Sequence, residues 1–449
     1  MRIRLINRIV DRYTWDRLIV SFWFIPLILA FVAILLAWVM YWIDGHIPNE
    51  ILQNSRFILS GNVGELRGYL FAMATTTLAT AGVVFTLLTL PLSTVAAQYG
   101  SRLLRIFLGD RITQFVLGMF VGTFVYCISA ATIILPVEVQ PEGPQVTATV
   151  GMLLMLATFA SLILLVQHIS TMLQAPNIAA AAGAELRKVA QGEIQAEFGG
   201  DKELIQNSKD LPDSLEEADG YQVRLGRTGY IKYVDPEYIL TLAKDHDLVI
   251  RLLRKPGHFV NSGLVVALVW PADRIDVELD KQIQHAFHLG KQRTPTQDVE
   301  YAVNQLAEMA IRAMSPAIND PFTAMTCLDY MGDGLVLFAR SGEGNPHIFD
   351  RDGCLRIIYE PVTFDELLNA AFDMLRHASC DSASVLLHML DVIDMIDKET
   401  KSPDIHQKLL RHVYLIEAES KVGALIEADR QSIHLKCETL LINSYSRPS

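Results

Sequence analysis

The chain has 449 residues, of which 51% are hydrophobic, and a formal net charge of −12 at neutral pH. A chain of this length forms more than one domain, and its hydrophobic content indicates that part of it lies in a lipid bilayer. The net negative charge argues against nucleic acid as a partner. The five cysteines are widely spaced without a C-x-x-C motif, which predicts neither a disulfide framework nor a zinc site.

The balance of charge changes near residue 175. Residues 1–175 contain ten arginines, no lysine and eight acidic residues. Because the whole chain has 38 basic and 50 acidic residues, 28 basic and 42 acidic residues remain beyond that point. We therefore expect a membrane domain over 1–175, embedded in the lipid bilayer, and an acidic part in water after it.

Four apolar stretches in this first part are long enough to span a membrane. A hydrocarbon core about 30 Å thick needs roughly 20 helical residues. The predicted helices cover 18–43, 70–100, 112–137 and 146–166. Arginines concentrate in the N-terminal tail and in the 101–111 loop, whereas the 138–145 loop has none. The positive-inside rule therefore predicts a multi-pass protein with both termini in the cytoplasm.

The second predicted helix carries a narrow face of small and hydroxylated residues. Their spacings of three and four place them on one side of a helix. The face consists of Thr75, Ala79, Gly82, Thr86, Thr89 and Ser93. Two interpretations remain open: a seam that packs against another helix, or the lining of a water-filled pore assembled by several copies of the chain. In the pore, Phe85 would form an apolar gate, and Pro91 would permit a bend.

The third predicted helix carries a run of small residues. They are Gly118, Gly122 and, one heptad after the second glycine, Ser129. Small residues let helix backbones approach closely in lipid, so this run predicts a helix-packing seam. Beyond the fourth span, residues 176–220 begin with an alanine-rich helix and end in a segment with seven acids and two lysines. We expect a helical stalk followed by an acidic linker.

Over residues 221–272 the hydrophobic pattern takes the two-residue period that is typical of β-strands. The segments YQVRL and YIKYV flank the tetrapeptide GRTG at 226–229, which is typical of a β-hairpin. Residues 256–269 are similar to a half-repeat of biotinyl/lipoyl-type barrel-sandwich domains, but the Met-Lys-Met hairpin of cofactor carriers is missing. We therefore expect a small barrel-sandwich-like unit without a cofactor. The spacing of apolar residues over 273–449 predicts a helical C-terminal domain. The expected fold class is an α-helical integral membrane protein with four transmembrane helices and a cytoplasmic α+β domain.

The densest polar motif of the second half is SPAINDPFT at 315–323. One interpretation is a corner between helices, in which the aspartate caps a helix that begins at the following proline. The other joins the motif to upstream polar residues in a pocket for a small ligand or cation. The residues of this candidate pocket are Arg293, Asp298, Arg312, Asn319 and Asp320.

Histidines offer few candidates for chemistry. His285 and His288 have a spacing found in metal pairs, but no third ligand follows, so we expect a surface helix and no metal centre. His168 lies where the fourth span ends. No P-loop, G-x-S-x-G, H-E-x-x-H or kinase signature is present, and we expect that the protein is not an enzyme.

Four segments carry a resemblance to known proteins. They are TTLATAGVVFT at 76–86, SRLLRIFLGD at 101–110, RTPTQD at 293–298 and SPAINDPFTA at 315–324. With these segments the chain resembles a bacterial family of predicted inner-membrane proteins of unknown function over nearly its full length. The resemblance implies a location in the bacterial inner (plasma) membrane. It implies no activity, substrate or catalytic residue.

Three functions from different classes fit these observations. We predict a homo-oligomeric channel or pore for ions or small solutes, lined by the second helix and assembled or gated by the cytoplasmic domain. The alternative is a membrane-anchored scaffold or sensor whose cytoplasmic domain binds a protein or small ligand. A membrane enzyme acting on lipid ranks last, because only His168 with the arginines near 102–111 offers a catalytic group.

Overall fold

The computed structural model of the chain describes residues 23–46, 58–98, 110–133, 144–198, 219–341 and 345–445. Within its helices, the side chains of 90–92, 94–98, 194–198 and 443–445 are not described. The chain divides into two compact units, Met1–Asn177 and Ile178–Ser449. The expectations for the arginine-rich tail, for most of the 101–111 loop and for the acidic linker lie outside the described residues.

Four long apolar helices form the first unit. They are α1 at Phe24–Asp44, α2 at Val63–Gln98, α3 at Arg111–Ile133 and α4 at Gln145–Met172. Each helix contains a stretch long and apolar enough to cross a membrane. The prediction of four transmembrane helices is confirmed.

Helix α2 begins earlier than the sequence predicted, because a reciprocal cap starts it. The Asn62 side chain accepts a hydrogen bond from the Glu65 backbone amide at 2.9 Å, and the Glu65 carboxylate accepts one from the Asn62 amide at 3.1 Å. The 36 residues of α2 extend over about 54 Å, whereas the hydrocarbon core is about 30 Å thick. Helix α2 therefore continues beyond the membrane core.

Helix α3 is the centre of the first unit and packs against α1, α2 and α4. A Cβ atom added at Gly118 would lie 2.6 Å from Leu29 Cδ1 and 3.2 Å from Pro26 Cα, both on α1. At Gly122 it would lie 3.4 Å from the carbonyl oxygen of Leu29. Ser129 is half-buried further along the helix. Because the two glycines have no side chains, the backbones of α1 and α3 approach each other closely at these positions.

Polar side chains form hydrogen bonds between the helices of the first unit at two positions. Asp44, at the end of α1, accepts hydrogen bonds from the backbone amides of Val146 at 2.8 Å and Thr147 at 2.7 Å. It thereby satisfies amides at the start of α4 that no helical partner reaches. Deeper in the bundle, the hydroxyl oxygens of Thr123 and Thr158 lie 2.8 Å apart and join α3 to α4.

The second unit contains two small sheets that share one core. The strands are β1 at Tyr221–Arg224, β2 at Gly229–Val234, β3 at Val249–Leu252, β4 at Phe259–Val260, β5 at Val265–Trp270, β6 at Phe287–Gly290, β7 at His347–Phe349 and β8 at Leu355–Ile358. One sheet has the order β1-β5-β3-β8-β7, and the other has the order β4-β2-β6. Val223, Ile250 and Val269 of the first sheet meet Ile231 and Phe287 of the second. The α+β class predicted for this half is confirmed.

The predicted hairpin is wrong. Strand β1 pairs with β5, whereas β2 pairs with β4 and β6, so the two strands lie in different sheets. Gly226, with φ of +60°, allows the chain to turn from one sheet to the other. Strand β8 joins β3 in parallel, with Ile357 opposite Ile250. The first sheet therefore draws on residues well beyond the 221–272 range expected for the β-rich domain.

Helices make up the remainder of the second unit, and the first of them begins three residues before its boundary. They are α5 at Ala175–Phe198, α6 at Pro236–Asp245, α7 at Val277–His285, α8 at Val299–Ala313, α9 at Pro321–Ser341, α10 at Phe364–Ala378, α11 at Ala383–Glu399, α12 at Pro403–Ser420 and α13 at Glu427–Tyr445. Caps read from the sequence start several of them. The Asp235 side chain, for example, accepts from the Tyr238 amide at 3.0 Å, and Pro236 takes the first helical position of α6.

Helix α5, expected as a stalk, packs against α9 around Gly183 and Leu186. A Cβ atom added at Gly334 of α9 would lie 2.5 Å from Leu186 Cδ2. Next to this contact, the Arg187 guanidinium lies 2.6 Å from the Asp333 carboxylate. Leu186 and Arg187 of α5 therefore make a close contact with α9.

Candidate functional site

The small, hydroxylated face of α2 points away from the other helices of the first unit. Every residue of the predicted face is exposed: Thr75, Ala79, Gly82, Thr86, Thr89 and Ser93. A Cβ atom added at Gly82 would meet no described atom within 4 Å. Within the described residues, no other helix of the first unit covers the face.

The other side of α2 packs against its neighbours in the chain. Among the described side chains of α2, the buried ones are Val63, Leu66, Leu70, Ala74, Thr77, Val84 and Leu88. With 3.6 residues per turn, the mean directions of the buried and exposed groups differ by about 150°. Leu70 and Ala74 pack in a cluster with residues of α1 and α3, and Val84 and Leu88 pack with residues of α3 and α4. The packing seam of α2 within the chain is therefore a different face from the one that the sequence singled out.

The outward faces of the other spans have a different composition. Helix α1 exposes Phe31, Leu35 and Trp38, with 64%, 51% and 62% of their surfaces accessible. Helix α4 exposes Ile163 and Leu164. Large apolar side chains of this kind are what lipid tails favour, whereas small and hydroxylated ones are typical of helix interfaces and aqueous paths. Among the described residues of the first unit, the broad apolar outward surfaces of α1 and α4 thus contrast with the strip on α2.

The three threonine hydroxyl groups of this strip donate to their own helix. Thr75 donates to the Phe71 carbonyl oxygen at 2.9 Å, Thr86 to that of Gly82 at 3.1 Å, and Thr89 to that of Thr86 at 3.1 Å. Each hydroxyl oxygen keeps acceptor capacity directed away from these bonds. The strip can therefore offer oxygen atoms to water or a cation without a fixed charge.

The two predicted gate residues lie at the margin of this surface. Phe85 is 46% exposed, and its direction on the helix is about 80° from the centre of the strip. Helix α2 continues through Pro91, whose side chain is outside the described ones. The gate stays a prediction.

The five residues of the candidate ligand pocket do not come together. Arg293 and Asp298 pair before the start of α8, with Nε to Oδ2 at 2.7 Å and Nη2 to Oδ1 at 2.8 Å. Burial opposes the charge of Arg293, but the hydrogen bond and the charge of Asp298 outweigh it and raise the pKa of the guanidinium. Asp298 also accepts from the Tyr301 amide at 2.9 Å and so caps α8. Both residues are occupied in a structural contact.

The other three residues lie near the opposite end of α8. Its 15 residues correspond to about 22 Å of helix. There Arg312 contacts Glu308 one turn earlier at 3.1 Å. Asn319 is exposed with φ of +49°, and Asp320 accepts from the Thr323 amide at 3.1 Å as the cap of α9. The geometry agrees with the helix corner and does not form the single pocket.

The histidines singled out in the sequence have separate surroundings. His285 is the last residue of α7, whereas His288 lies in β6, so the surface helix expected for the pair is wrong. Burial lowers the pKa of His288. Nε2 of His168 lies 3.0 Å from a carboxylate oxygen of Asp110, which also accepts from the Thr113 amide at the start of α3. Among the described residues, no three His, Cys, Asp or Glu side chains form a group that could hold a metal ion.

Comparisons with known proteins give matches of two kinds. A family described as "Predicted membrane protein (DUF2254)" matches residues 20–395. The chain is also 24% identical, over 385 residues, to an uncharacterized protein of Mycobacterium bovis and to one of Mycobacterium tuberculosis. These matches cover 84% of this chain and 72% of each relative. No solved structure matches the chain.

Proposed function

We propose that this chain, which belongs to the DUF2254 family of predicted membrane proteins, is a homo-oligomeric channel for ions or small solutes. Membership confirms the resemblance carried by the four sequence segments. It also agrees with the four helices that are long and apolar enough to span a bilayer. The family description states no activity, so the proposal depends on the site.

The exposed strip on α2 is the observation that carries the proposal. Six small or hydroxylated residues lie on the side of α2 opposite its packing seam. Contact with lipid tails does not stabilise such a strip, so we infer that it contacts other copies of the chain or water. Four or more copies placed around an axis would bring their strips together around a central path.

An uncharged hydroxyl lining suits conduction. Its oxygen atoms replace part of a hydration shell without binding an ion so strongly that it cannot leave. The second unit, on the side where we place both termini, would assemble the subunits or gate the path. We place that side in the cytoplasm of a bacterium and the four spans in its inner membrane, from the distribution of arginines. We propose no enzymatic activity and no nucleic-acid partner.

A membrane-anchored scaffold or sensor is the second candidate, and the hydroxyl bonds favour it. Because Thr75, Thr86 and Thr89 already donate to their own helix, the strip does not need water to satisfy its donors. Two copies could then bury the strips against each other in a dry seam. The number of subunits separates the two candidates.

The first experiment is the native mass of the full chain in a lipid nanodisc. The channel proposal expects four or more copies. A monomer or dimer cannot surround a path with one helix from each copy, and it would move the scaffold to first place.

The second experiment tests the lining directly in liposome flux assays. Thr86→Trp places a bulky side chain in the centre of the strip and should reduce flux at least tenfold. Leu35→Trp adds the same side chain to an exposed, lipid-facing position of α1 and should leave flux unchanged. Equal flux in wild type and Thr86→Trp would refute the assignment of the lining.

A further inference from the structure

Four large apolar side chains are exposed on two turns between helices of the second unit. Ile318 and Phe322 lie where α8 leads into α9, with 46% and 75% of their surfaces accessible. Val422 and Ile426 lie in the turn between α12 and α13, with 79% and 67% accessible. Because water disfavours exposed apolar surface, a group of such side chains indicates a surface that contacts a partner or a membrane.

The first of these turns lies at the end where α9 and α11 both begin. The Asp329 carboxylate of α9 lies 2.7 Å from His388 of α11. Further along both helices, Arg340 lies 2.8 Å from Glu399. The contacts advance in the same direction on α9 and α11, so the two helices are parallel. The corner before α9 is therefore on the side where α11 starts.

The turn between α12 and α13 lies at this end as well. His406, near the start of α12, contacts Asp397, near the end of α11, so α12 runs back toward the start of α11. After α12, a Cβ atom added at Gly423 would overlap the carbonyl oxygen of Cys380, which precedes α11 by three residues. The exposed side chains of both turns thus belong to one end of these helices. We call this group the apolar end; it consists of Ile318, Phe322, Val422 and Ile426.

The chain enters the second unit on the same side. A Cβ atom added at Gly183 of α5 would lie 2.7 Å from Tyr330 Cγ, and one turn later Arg187 lies 2.6 Å from Asp333. At this contact α5 and α9 run in the same direction, so the start of α5 is on the side of the apolar end. Ile178, the first residue of the unit, follows the end of α4 by six residues, which reach at most about 20 Å. The length of the chain therefore holds this side within reach of the membrane surface.

We propose that the apolar end inserts into the interfacial layer of the lipid bilayer. Apolar side chains of peripheral segments enter the boundary between headgroups and acyl chains, where their surface is removed from water. The positions on separate turns favour lipid as the occupant, since a protein partner needs a continuous, closely packed apolar core. The contact is independent of the channel, because it would exist equally in a channel or in a scaffold.

The charges beside the second turn indicate what holds this contact. Exposed groups of both signs surround Val422 and Ile426: Lys421 on one side, and Asp381 and Glu427 on the other. Such a surface gains no net attraction to anionic headgroups. Burial of the apolar side chains is therefore the expected driving force, and the contact should persist at high salt.

Spin labels on the full chain in phosphatidylcholine nanodiscs test the proposal. Phe322→Cys and Ile426→Cys each receive a nitroxide label, after the exposed Cys354 and the half-buried Cys380 have been replaced by serine. Collisions of the label with oxygen, which concentrates in lipid, are compared with those of a nickel chelate, which stays in water. The matched control is Ile442→Cys, an exposed position on α13 about 24 Å along the helix from Ile426.

The ratio of oxygen to nickel collisions decides the outcome. We expect it to be about threefold higher or more at both sites of the apolar end than at the control. Equal ratios at all three positions would overturn the proposal. Few collisions with either reagent at the two sites would indicate a protein contact, such as one with a second copy, and would overturn it as well.

Serine variants test whether the apolar side chains hold the contact. With the label at Val422→Cys, Phe322→Ser combined with Ile426→Ser should lower the ratio about threefold, because the apolar surface that enters the lipid is lost. The control Ile442→Ser should leave the ratio unchanged, and so should about 0.5 M sodium chloride. An unchanged ratio in the double serine variant, or a ratio lost in salt, would overturn the assignment to apolar insertion.

Discussion

Replacing His412 by leucine should stabilise helix α12 and remove an acid sensitivity from it. His412 is fully buried, and neither ring nitrogen has a hydrogen-bond partner among the described residues. Its ring lies 5.6 Å from that of Phe372. Desolvation by burial lowers the pKa of His412 from 6.5 to about 4. The buried ring is therefore neutral at pH 7, with polar atoms that water would otherwise solvate.

Charged neighbours modify this effect without reversing it. Asp373 and Asp365 raise the pKa of His412, whereas Arg411 and Arg376 lower it. Burial is the largest influence. The net direction is downward, so the folded state disfavours the proton.

The sign of the pH dependence follows from the two protonation states. Between pH 6.5 and about 4, the unfolded chain binds a proton at His412 that the folded chain does not bind. The free energy of unfolding therefore falls as the pH is lowered through this window. At about 1.4 kcal/mol per pH unit, the loss reaches roughly 3 kcal/mol near pH 4. At pH 7, leucine should also add about 1–3 kcal/mol by removing two unpartnered polar atoms.

Hydrogen exchange of peptides within 403–420 measures this locally in the full chain. Opening free energies at pH 7 and pH 4.5, corrected for intrinsic exchange, should differ less in His412→Leu than in wild type, by about 2–3 kcal/mol. His285→Leu removes an exposed histidine and should behave as wild type. The same pH dependence in wild type and His412→Leu would refute the reasoning.

Two further substitutions, each with a matched control, test one contact within each unit. Arg356→Leu leaves the buried Asp350 without its cation, so chemical denaturation should show a loss of about 3–5 kcal/mol. Arg340→Leu removes an exposed pair with Glu399 and should cost at most about 1 kcal/mol; equal losses would contradict the ranking. In the membrane unit, Gly118→Ala places a methyl group against α1 and should cost about 1–3 kcal/mol of thermal stability in detergent. Gly68→Ala, where an added Cβ meets no described atom within 4 Å, should be neutral or stabilising, and a larger loss there would contradict the packing argument.

Local signals in the sequence predicted what is local in the structure. The apolar lengths gave four spans, and Asp235-Pro236 and Asp320-Pro321 gave helix starts, because caps depend on adjacent residues. The predicted hairpin around Gly226 failed, because each strand found its partner in another part of the chain. The parallel pairing of β3 with β8 joins residues about 100 positions apart, and no short pattern encodes it.

The same difference between local and long-range information applies to the candidate sites. The spacing of the α2 strip predicted a common face, since helical periodicity is a local property. It could not tell whether another span covers that face; the structure shows that Leu66, Leu70 and Val84 turn the opposite side inward. A cavity lined by residues 251–254, Pro346 and 358–360 was missed, because its two walls meet only through the β3–β8 pair. A paired strand prediction for 355–359 would have been the signal needed.

The central position of α3 has a consequence for how the membrane unit is made. Helices α1 and α2 are synthesised first, yet each finds a principal packing partner in α3, which follows both of them. Until α3 is synthesised, the contacts that it makes with Pro26 and Leu29 of α1 and with the inner side of α2 cannot form. A nascent chain that ends before Arg111 should therefore be cleared by membrane proteases faster than one that ends after Met172. We therefore expect the growing chain to gain resistance to membrane proteases once the third span has been synthesised.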